Sequence, residues 1–397
     1  MTKKILYISG SIGLGHVFRD LAVARELRKL RPEIDLYWLA EPPVTQVLAE
    51  AGEKVLPDAY AFNNELVNKL SGSENQFNVM QFFHLSKDST MKTFEEDMKI
   101  IKRENFDFVI ADEAYELSTG YIQYPEKFEK PGIMMWDFVK WYSMTNSPMD
   151  RIAAWVINRF YDKGYKMKQR PEFLSIFFGE LEDIPDERLG LFLINARDWG
   201  REFCTFVGYP IHFNPKQYNN PAEIKERLGY GKEPLILCAI GGTRVGVGLL
   251  DLCARAYPLI KKEVPNVRMV LVGGPAVQPG SLELPNGVVM HGYLPKLYEH
   301  FAACDLAIVL GGGSTTLELT VLKRPFIYFP LEKHSEQMLS VSHVLEKHRA
   351  GVKMLFSKTT PEMLAKEAIS NIGKKVEYLD MPIDGCKKAA EVIAKSI

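Results

Sequence analysis

Residues 308–337 read IVLGGGSTTLELTVLKRPFIYFPLEKHSEQ. An apolar run, Leu306 to Leu310, ends in Gly311, Gly312 and Gly313. Ser314, Thr315 and Thr316 follow, then helix-forming residues that carry Glu318. A second apolar run, Pro325 to Phe329, ends at Pro330 and gives way to a polar stretch with His334, Glu336 and Gln337. Strand, glycine turn, helix and strand in succession predict a parallel α/β sheet. Glycines at a strand end let an anionic ligand approach the backbone. The N–H groups of the next helix's first turn then face that ligand. Glu318 can accept from two neighbouring ribose hydroxyls. The layout suits a nucleoside diphosphate joined to a sugar. The plainer alternatives are a solvated helix acid at Glu318 and a polar surface loop at His334, Glu336 and Gln337.

Both halves of the chain open alike. Lys4 to Ser9 (KILYIS) is followed by GSIGLGH and a helix with Leu21, Ala24, Leu27 and Leu30. Leu235 to Ile240 (LILCAI) is followed by GGTRVGVG and a helix with Leu249, Leu252, Ala256 and Leu259. Further strands are expected at Asp35 to Ala40, Phe106 to Ala111, Gly132 to Trp136 and Leu191 to Asn195, then at Val267 to Val272 and Val288 to Met290. Such alternation predicts parallel sheets with helices on both faces. Two such domains facing each other would place strand C-terminal ends on a shared cleft. Pro210, Pro215, Asn219, Asn220, Pro221 and Gly229 mark a linker within 208–234. The expected division is 1–212, 213–375 and a helical tail, 376–397.

A chain of 397 residues exceeds one ordinary core. Hydrophobic residues at 46% and charged residues at 25% fit a globular protein. A net charge of −1 argues against a general nucleic-acid binder. The N-terminus does not read as a signal peptide, and no apolar run is long enough to span a membrane. Cys204, Cys238, Cys253, Cys304 and Cys386 show no CxxC spacing, so a structural zinc is not expected.

The 308–337 run resembles the donor-binding signature of glycosyltransferases with the GT-B fold, in the MurG-like and UDP-glycosyltransferase families. The shared features are a Gly/Ser/Thr turn, a Glu a few residues later, and an acidic residue plus Gln after the following strand. Many UDP-glycosyltransferases begin the signature with a His on the diphosphate. Here that position is Leu310, which favours the MurG-like side. The resemblance implies two Rossmann-like domains, an N-terminal acceptor domain and a C-terminal donor domain, with part of the tail returning to the first. It implies inverting, metal-independent transfer from a UDP-sugar to a hydroxyl of a lipid or small molecule. The setting would be the cytosol or the inner membrane face, with no cofactor beyond the UDP-sugar co-substrate. Donor contacts carry over to Gly312, Gly313, Ser314, Thr315 and Thr316 on phosphate, Glu318 on ribose, and His334, Glu336 and Gln337 on the sugar. Gly242, Thr243 and Arg244 match a second phosphate loop, Leu294 a backbone contact to the base, and Gly13 lies in the first glycine turn.

His16 closes that first turn, at the start of the first helix. An imidazole there can take a proton from a hydroxyl near neutral pH. Asp112 ends the strand of FDFVIADE and would lie on the same sheet edge, where it can orient the imidazole. Related enzymes place a catalytic His and its Asp partner at these points. Asp137 and Glu113 are further candidates for base or acceptor contact. The plain alternative is a helix cap and a strand-end acid. The chain has no D-x-D triplet of the kind that holds a metal on a diphosphate, so helix N–H groups would neutralise the leaving group.

Trp136 to Gln169 interleaves aromatics with Lys and Arg. It reads first as an aromatic core face with a solvated basic side, and second as a basic amphipathic helix on a membrane. A nicotinamide dehydrogenase is disfavoured: Gly10, Gly13 and Gly15 do not give GxGxxG, and the 308–337 run is left unexplained. A sugar-nucleotide hydrolase or epimerase, or a non-catalytic sugar-nucleotide-binding protein, shares the donor features and stays open.

Overall fold

The computed structural model describes residues 2–10, 14–61, 79–128, 130–145, 147–166, 173–242 and 244–397. They form two compact α/β units. The first runs to His212 and includes Pro382–Ile397; the second runs from Phe213 to Met381.

The first sheet holds β1 (Lys4–Ser9), β2 (Asp35–Leu39), β3 (Phe108–Asp112), β4 (Gly132–Trp136), β5 (Phe173–Phe177) and β6 (Cys204–Phe206). All pairings are parallel, in the order β2-β1-β3-β4-β5-β6. The direction of build-up reverses between β1 and β3, where Ser9 lies beside Asp112. The second sheet holds β7 (Leu235–Ala239), β8 (Arg268–Val272), β9 (Val288–His291), β10 (Leu306–Leu310), β11 (Phe326–Phe329) and β12 (Val352–Lys353). Its order is β12-β11-β10-β7-β8-β9, again parallel, and it reverses between β7 and β10. In sheets of this kind ligands bind outside the strand C-terminal ends at the reversal.

Burial follows from the architecture. β3, β4 and β7 are buried at every residue, as strands covered on both faces must be. The last helix, Gly385–Ser396, belongs to the first unit and packs on the helix Leu14–Leu30. Its Ala389, Ala390 and Ile393 are fully buried in one core with Val17, Val23, Ala24 and Leu27. Residues 376–381 group with the second unit instead.

Three expectations need correction. Leu191 to Asn195 is not a strand: Phe192 has φ +62°, and the Asn195 side chain caps the helix Ala196–Phe203 by accepting from the N–H groups of Arg197 and Asp198. β5 and β6 complete the sheet in its place. The helix Leu14–Leu30 buries Val17, Asp20, Val23, Ala24 and Leu27, leaving Leu30 exposed. The aromatic core face foreseen after Trp136 is turned: Ile152, Trp155 and Val156 of the helix Pro148–Lys166 point outward. All five cysteines are buried and unbridged. Among the described residues no helix is long and apolar enough to cross a membrane.

Candidate active site

The reversal point of the first sheet gathers His16, Arg19, Asp112, Glu113 and Asp137. Gly10 follows β1, where a Cβ would come 2.9 Å from the Asp112 carbonyl oxygen, so a glycine lets the two neighbouring strand ends lie this close. The helix then starts at Leu14, which puts His16 in its first turn and Arg19 one turn on. His16 Nδ1 lies 3.0 Å from Asp112 Oδ2, and its Nε2 lies 3.6 Å from Glu113 Oε2. Glu113 holds φ +48°, a strained setting for a side chain of its size and one that clusters at functional sites.

Arg19 is the residue the sequence did not single out. It is buried, and its guanidinium donates from Nε to Asp112 Oδ2 at 3.0 Å, from Nη2 to Asp112 Oδ1, and from Nη1 to Asp137 Oδ2 at 2.7 Å. Its Nη2 also sits 2.9 Å from His16 Nδ1. Burial disfavours the charge on Arg19, yet Asp112 and Asp137 outweigh it and hold the guanidinium protonated. Burial likewise raises Asp112, but the charges of Arg19 and His16 win and hold it below the usual carboxylate range. Asp137 is depressed further, by Arg19 against burial. A carboxylate so depressed is a weak proton acceptor, so Asp137 is poorly suited to be the base. Asp20, next in sequence, faces the core and accepts from Tyr7 and Ser9 hydroxyls at 3.0 and 2.6 Å.

In one tautomer of His16, Nδ1 accepts from Arg19 Nη2 and Nε2 carries the proton; in the other, whose Nδ1 donates to Asp112, Nε2 is the basic nitrogen, and it faces Glu113. A hydroxyl bound there would meet a base and a second acceptor together. One atom each of His16, Glu113 and Asp137 also come within 4.8 Å of one another, so this trio is where a cation could be held among the described residues. The Arg19 charge on Asp137 works against a second cation there. Gly13 lies outside the described residues.

The second unit places its candidates at the ends of β7, β9, β10 and β11, on one edge of its sheet. Gly311 follows β10, where a Cβ would lie 2.8 Å from Pro330 Cα after β11. Glycine therefore lets two neighbouring strand ends close up. A Cβ at Gly312 would meet nothing within 4 Å, and one at Gly313 only Val341 at 3.7 Å. Gly312 caps the helix Gly313–Val321 with no side-chain hydrogen bond, so the first-turn N–H groups of Gly313, Ser314 and Thr315 are available to an anion. Thr316 is different. It is buried, and its hydroxyl donates to the Gly312 carbonyl at 2.9 Å, bracing the turn instead of facing a ligand. Burial pushes the Glu318 carboxyl up to about 8.

The loop after β11 folds on itself. Gln337 Oε1 accepts from Leu331 N at 3.0 Å, which leaves its amide donors for other partners. His334 Nδ1 and Glu336 Oε2 are 3.7 Å apart. After β7, Gly241 turns with φ +80°, and exposed Arg244 donates to the Ala276 carbonyl at 3.3 Å. Gly242 stands beside it; Thr243 lies outside the described residues. After β9, Gly274 N bonds the Gly292 carbonyl at 3.2 Å, and Leu294 packs on the core.

Residues 237–397 match the glycosyltransferase family 28 C-terminal domain. An uncharacterized glycosyltransferase of Methanosarcina acetivorans is 29% identical over 421 residues, spanning 100% of this chain and 98% of its own length. The UDP-N-acetylglucosamine–N-acetylmuramyl-(pentapeptide) pyrophosphoryl-undecaprenol N-acetylglucosamine transferase of Carboxydothermus hydrogenoformans is 30% identical over 125 residues, 30% of this chain and 33% of that one. Among solved structures, the glycotransferase of kitacinnamycin superposes with TM-score 0.61 at 17% identity, covering 100% of this chain and 99% of the other. The calicheamicin glycosyltransferase does so with TM-score 0.56 at 14% identity, covering 100% and 94%. Two parallel six-stranded sheets with this match define a GT-B-fold glycosyltransferase. In sequence the chain is similar to MurG-like glycosyltransferases, most clearly over residues 237–397.

Proposed function

We propose that the chain transfers a sugar from a UDP-sugar to a hydroxyl acceptor with inversion and without a metal. The acceptor hydroxyl binds beside His16 Nε2 and Glu113. Its oxygen attacks the anomeric carbon, the bond from that carbon to the diphosphate oxygen breaks, and the hydroxyl proton passes to Nε2. Asp112, fixed by Arg19, holds Nδ1–H and stabilises the imidazolium. The leaving UDP is neutralised by N–H groups at the start of the helix Gly313–Val321, with Glu318 on the ribose. His334, Glu336 and Gln337 face the sugar, and Arg244, Gly242 and Leu294 complete the nucleotide contacts.

One observation supports this reading most: an open glycine turn, an uncapped helix start and a half-buried carboxylate share the strand end at the reversal of the second sheet. The test is acceptor-dependent UDP release from a panel of UDP-sugars in EDTA, for wild type and His16→Gln. Release that needs an acceptor, and that falls by about a hundredfold or more in the variant, supports base-assisted transfer. Equal release without acceptor would favour a hydrolase, and no release from any UDP-sugar would overturn the donor assignment.

A further inference from the structure

The chain after β11 enters its next helix through a wide, π-helical turn. Glu336–Val341 winds with more residues per turn than an α-helix, and Ser342–Lys347 continues as ordinary α-helix. Turns of this kind are rare and recur at functional sites. None of the six residues of the wide turn is buried, whereas Ser342 and Leu345 just beyond it are. The core therefore fixes the far end of the helix, and the wide end lies at the strand edge that carries the donor candidates.

Side chains hold the wide turn in shape. Gln337 Oε1 accepts from Leu331 N at 3.0 Å, which pins its amide towards the end of β11. The Ser342 N–H goes to the Leu339 carbonyl, while the Ser342 hydroxyl donates to the Gln337 carbonyl at 3.0 Å. Lys353 of β12 donates to the Met338 carbonyl at 3.3 Å. Polar side chains thus meet two successive carbonyls of a turn that lacks regular α-helical bonding. The last residue of the turn reaches the glycine turn after β10: a Cβ at Gly313 would lie 3.7 Å from Val341 Cγ2. The wide turn therefore packs against the helix start whose N–H groups are available to an anion.

We propose that this wide turn, closed by Ser342, sets which donor sugar the chain accepts by fixing where Glu336 and Gln337 point. The inference rests on the donor reading above and adds Ser342 as a positioning residue that touches no ligand itself. The argument is angular. Each residue of an α-helix advances by about 100°. With Ser342 and Leu345 held in the core, one residue fewer in the turn rotates Glu336 and Gln337 by about that angle. The Gln337–Leu331 bond then breaks, and a different pair of side chains meets the sugar. A site built to pair particular hydroxyls rejects a sugar that leaves its polar groups unpaired, so the rotation changes selectivity. The UDP contacts lie on other elements, the helix Gly313–Val321 and the loops after β7 and β9, and keep their places.

The test is calorimetry of UDP, UDP-glucose, UDP-galactose and UDP-N-acetylglucosamine with the full chain. Wild type is compared with Ser342→Ala, with deletion of Leu339, and with Gln337→Ala as the reference for a lost sugar contact. We expect wild type to bind one UDP-sugar more tightly than the others. The deletion should cut that margin by about tenfold, as Gln337→Ala does, and Ser342→Ala by about threefold. UDP affinity should stay within about twofold in all three variants. Ser342→Ala removes one hydroxyl and keeps the test decisive if the deletion variant does not fold. A Ser342→Ala protein that melts earlier but keeps the wild-type margin overturns the proposal, since Ser342 would then serve stability alone. Wild type that binds UDP and shows no preference among the sugars overturns it too, with the nucleotide site left standing. Wild type that binds no UDP overturns the donor reading and this inference together.

Discussion

Arg19 grips both oxygens of Asp112, the carboxylate that also faces Nδ1 of His16. The pair joins the first helix to the end of β3 and, through Asp137, to the loop after β4. His16 therefore works beside a carboxylate already shared with a cation. In that setting Asp112 orients the imidazole.

Removing the guanidinium should show this coupling. Arg19→Ala leaves Asp112 and Asp137 facing each other without a counter-charge and should destabilise the first unit by about 3 kcal/mol or more. Arg19→Lys keeps a point charge but not the fork and should cost less. In denaturant unfolding the double variant with Asp112→Asn should lose less than the sum of the single losses. The depressed carboxyls add acid sensitivity. Their contribution to stability is complete above the usual carboxylate range and is lost as pH falls through their lowered values.

Glu318 supplies a pH dependence of the opposite sign. A carboxyl held at about 8 by burial is mostly protonated in the empty site at neutral pH. Ribose hydroxyls donate best to the carboxylate, so donor binding should release a proton. Donor affinity should then rise as pH climbs from neutral towards the folded value. Glu318→Gln should flatten that dependence in calorimetry and lower the affinity at alkaline pH. For folding the sign is the reverse: the raised value stabilises the unit at low pH, and that contribution is lost as pH rises towards 8.

A second raised group tests the same linkage away from both sites. Burial pushes Glu116 up to about 7, near buried Asp97, which is raised by burial and by the Glu116 charge. Glu116→Gln should leave the melting temperature unchanged at about pH 5, where the carboxyl is protonated, and raise it at about pH 8. Thermal melts at the two pH values decide it.

The terminal helix is predicted to be structural for the first unit. Ile393 is fully buried against the helix that carries His16. Ile393→Ala should cost about 3 kcal/mol, read as an earlier unfolding transition, with UDP binding by the second unit retained.

The 308–337 run was legible because its signals are local: glycines at a strand end, a helix period and a second apolar strand. His16 and Asp112 were legible for the same reason, His16 at the helix start after a strand and glycine turn, Asp112 at a strand end. Arg19 was not, since a charged residue on a helix ordinarily faces water, and its partner Asp112 lies 93 residues away. The only trace is the Arg19–Asp20 pair interrupting an apolar helix one turn after His16. Leu191 to Asn195 has the composition of a strand, but the left-handed Phe192 and the capping role of Asn195 are set by tertiary contacts. The helix Pro148–Lys166 misled in the same way. Its apolar spacing is real, but Trp141 and Lys140 draw Asn158 and Asp162 inward. Thr316 was assigned to phosphate by position, whereas its hydroxyl is spent on the turn itself.

The most direct test is calorimetry of UDP in EDTA with wild type, Gly312→Ala and His16→Gln. A Cβ at Gly312 meets no protein atom within 4 Å, and its φ of −70° suits any residue, so this variant should melt like wild type. If the diphosphate lies against the turn, UDP affinity should fall by about tenfold in Gly312→Ala and stay unchanged in His16→Gln. UDP binding that needs a divalent metal, or that is untouched by Gly312→Ala, would contradict the donor site described for the second unit.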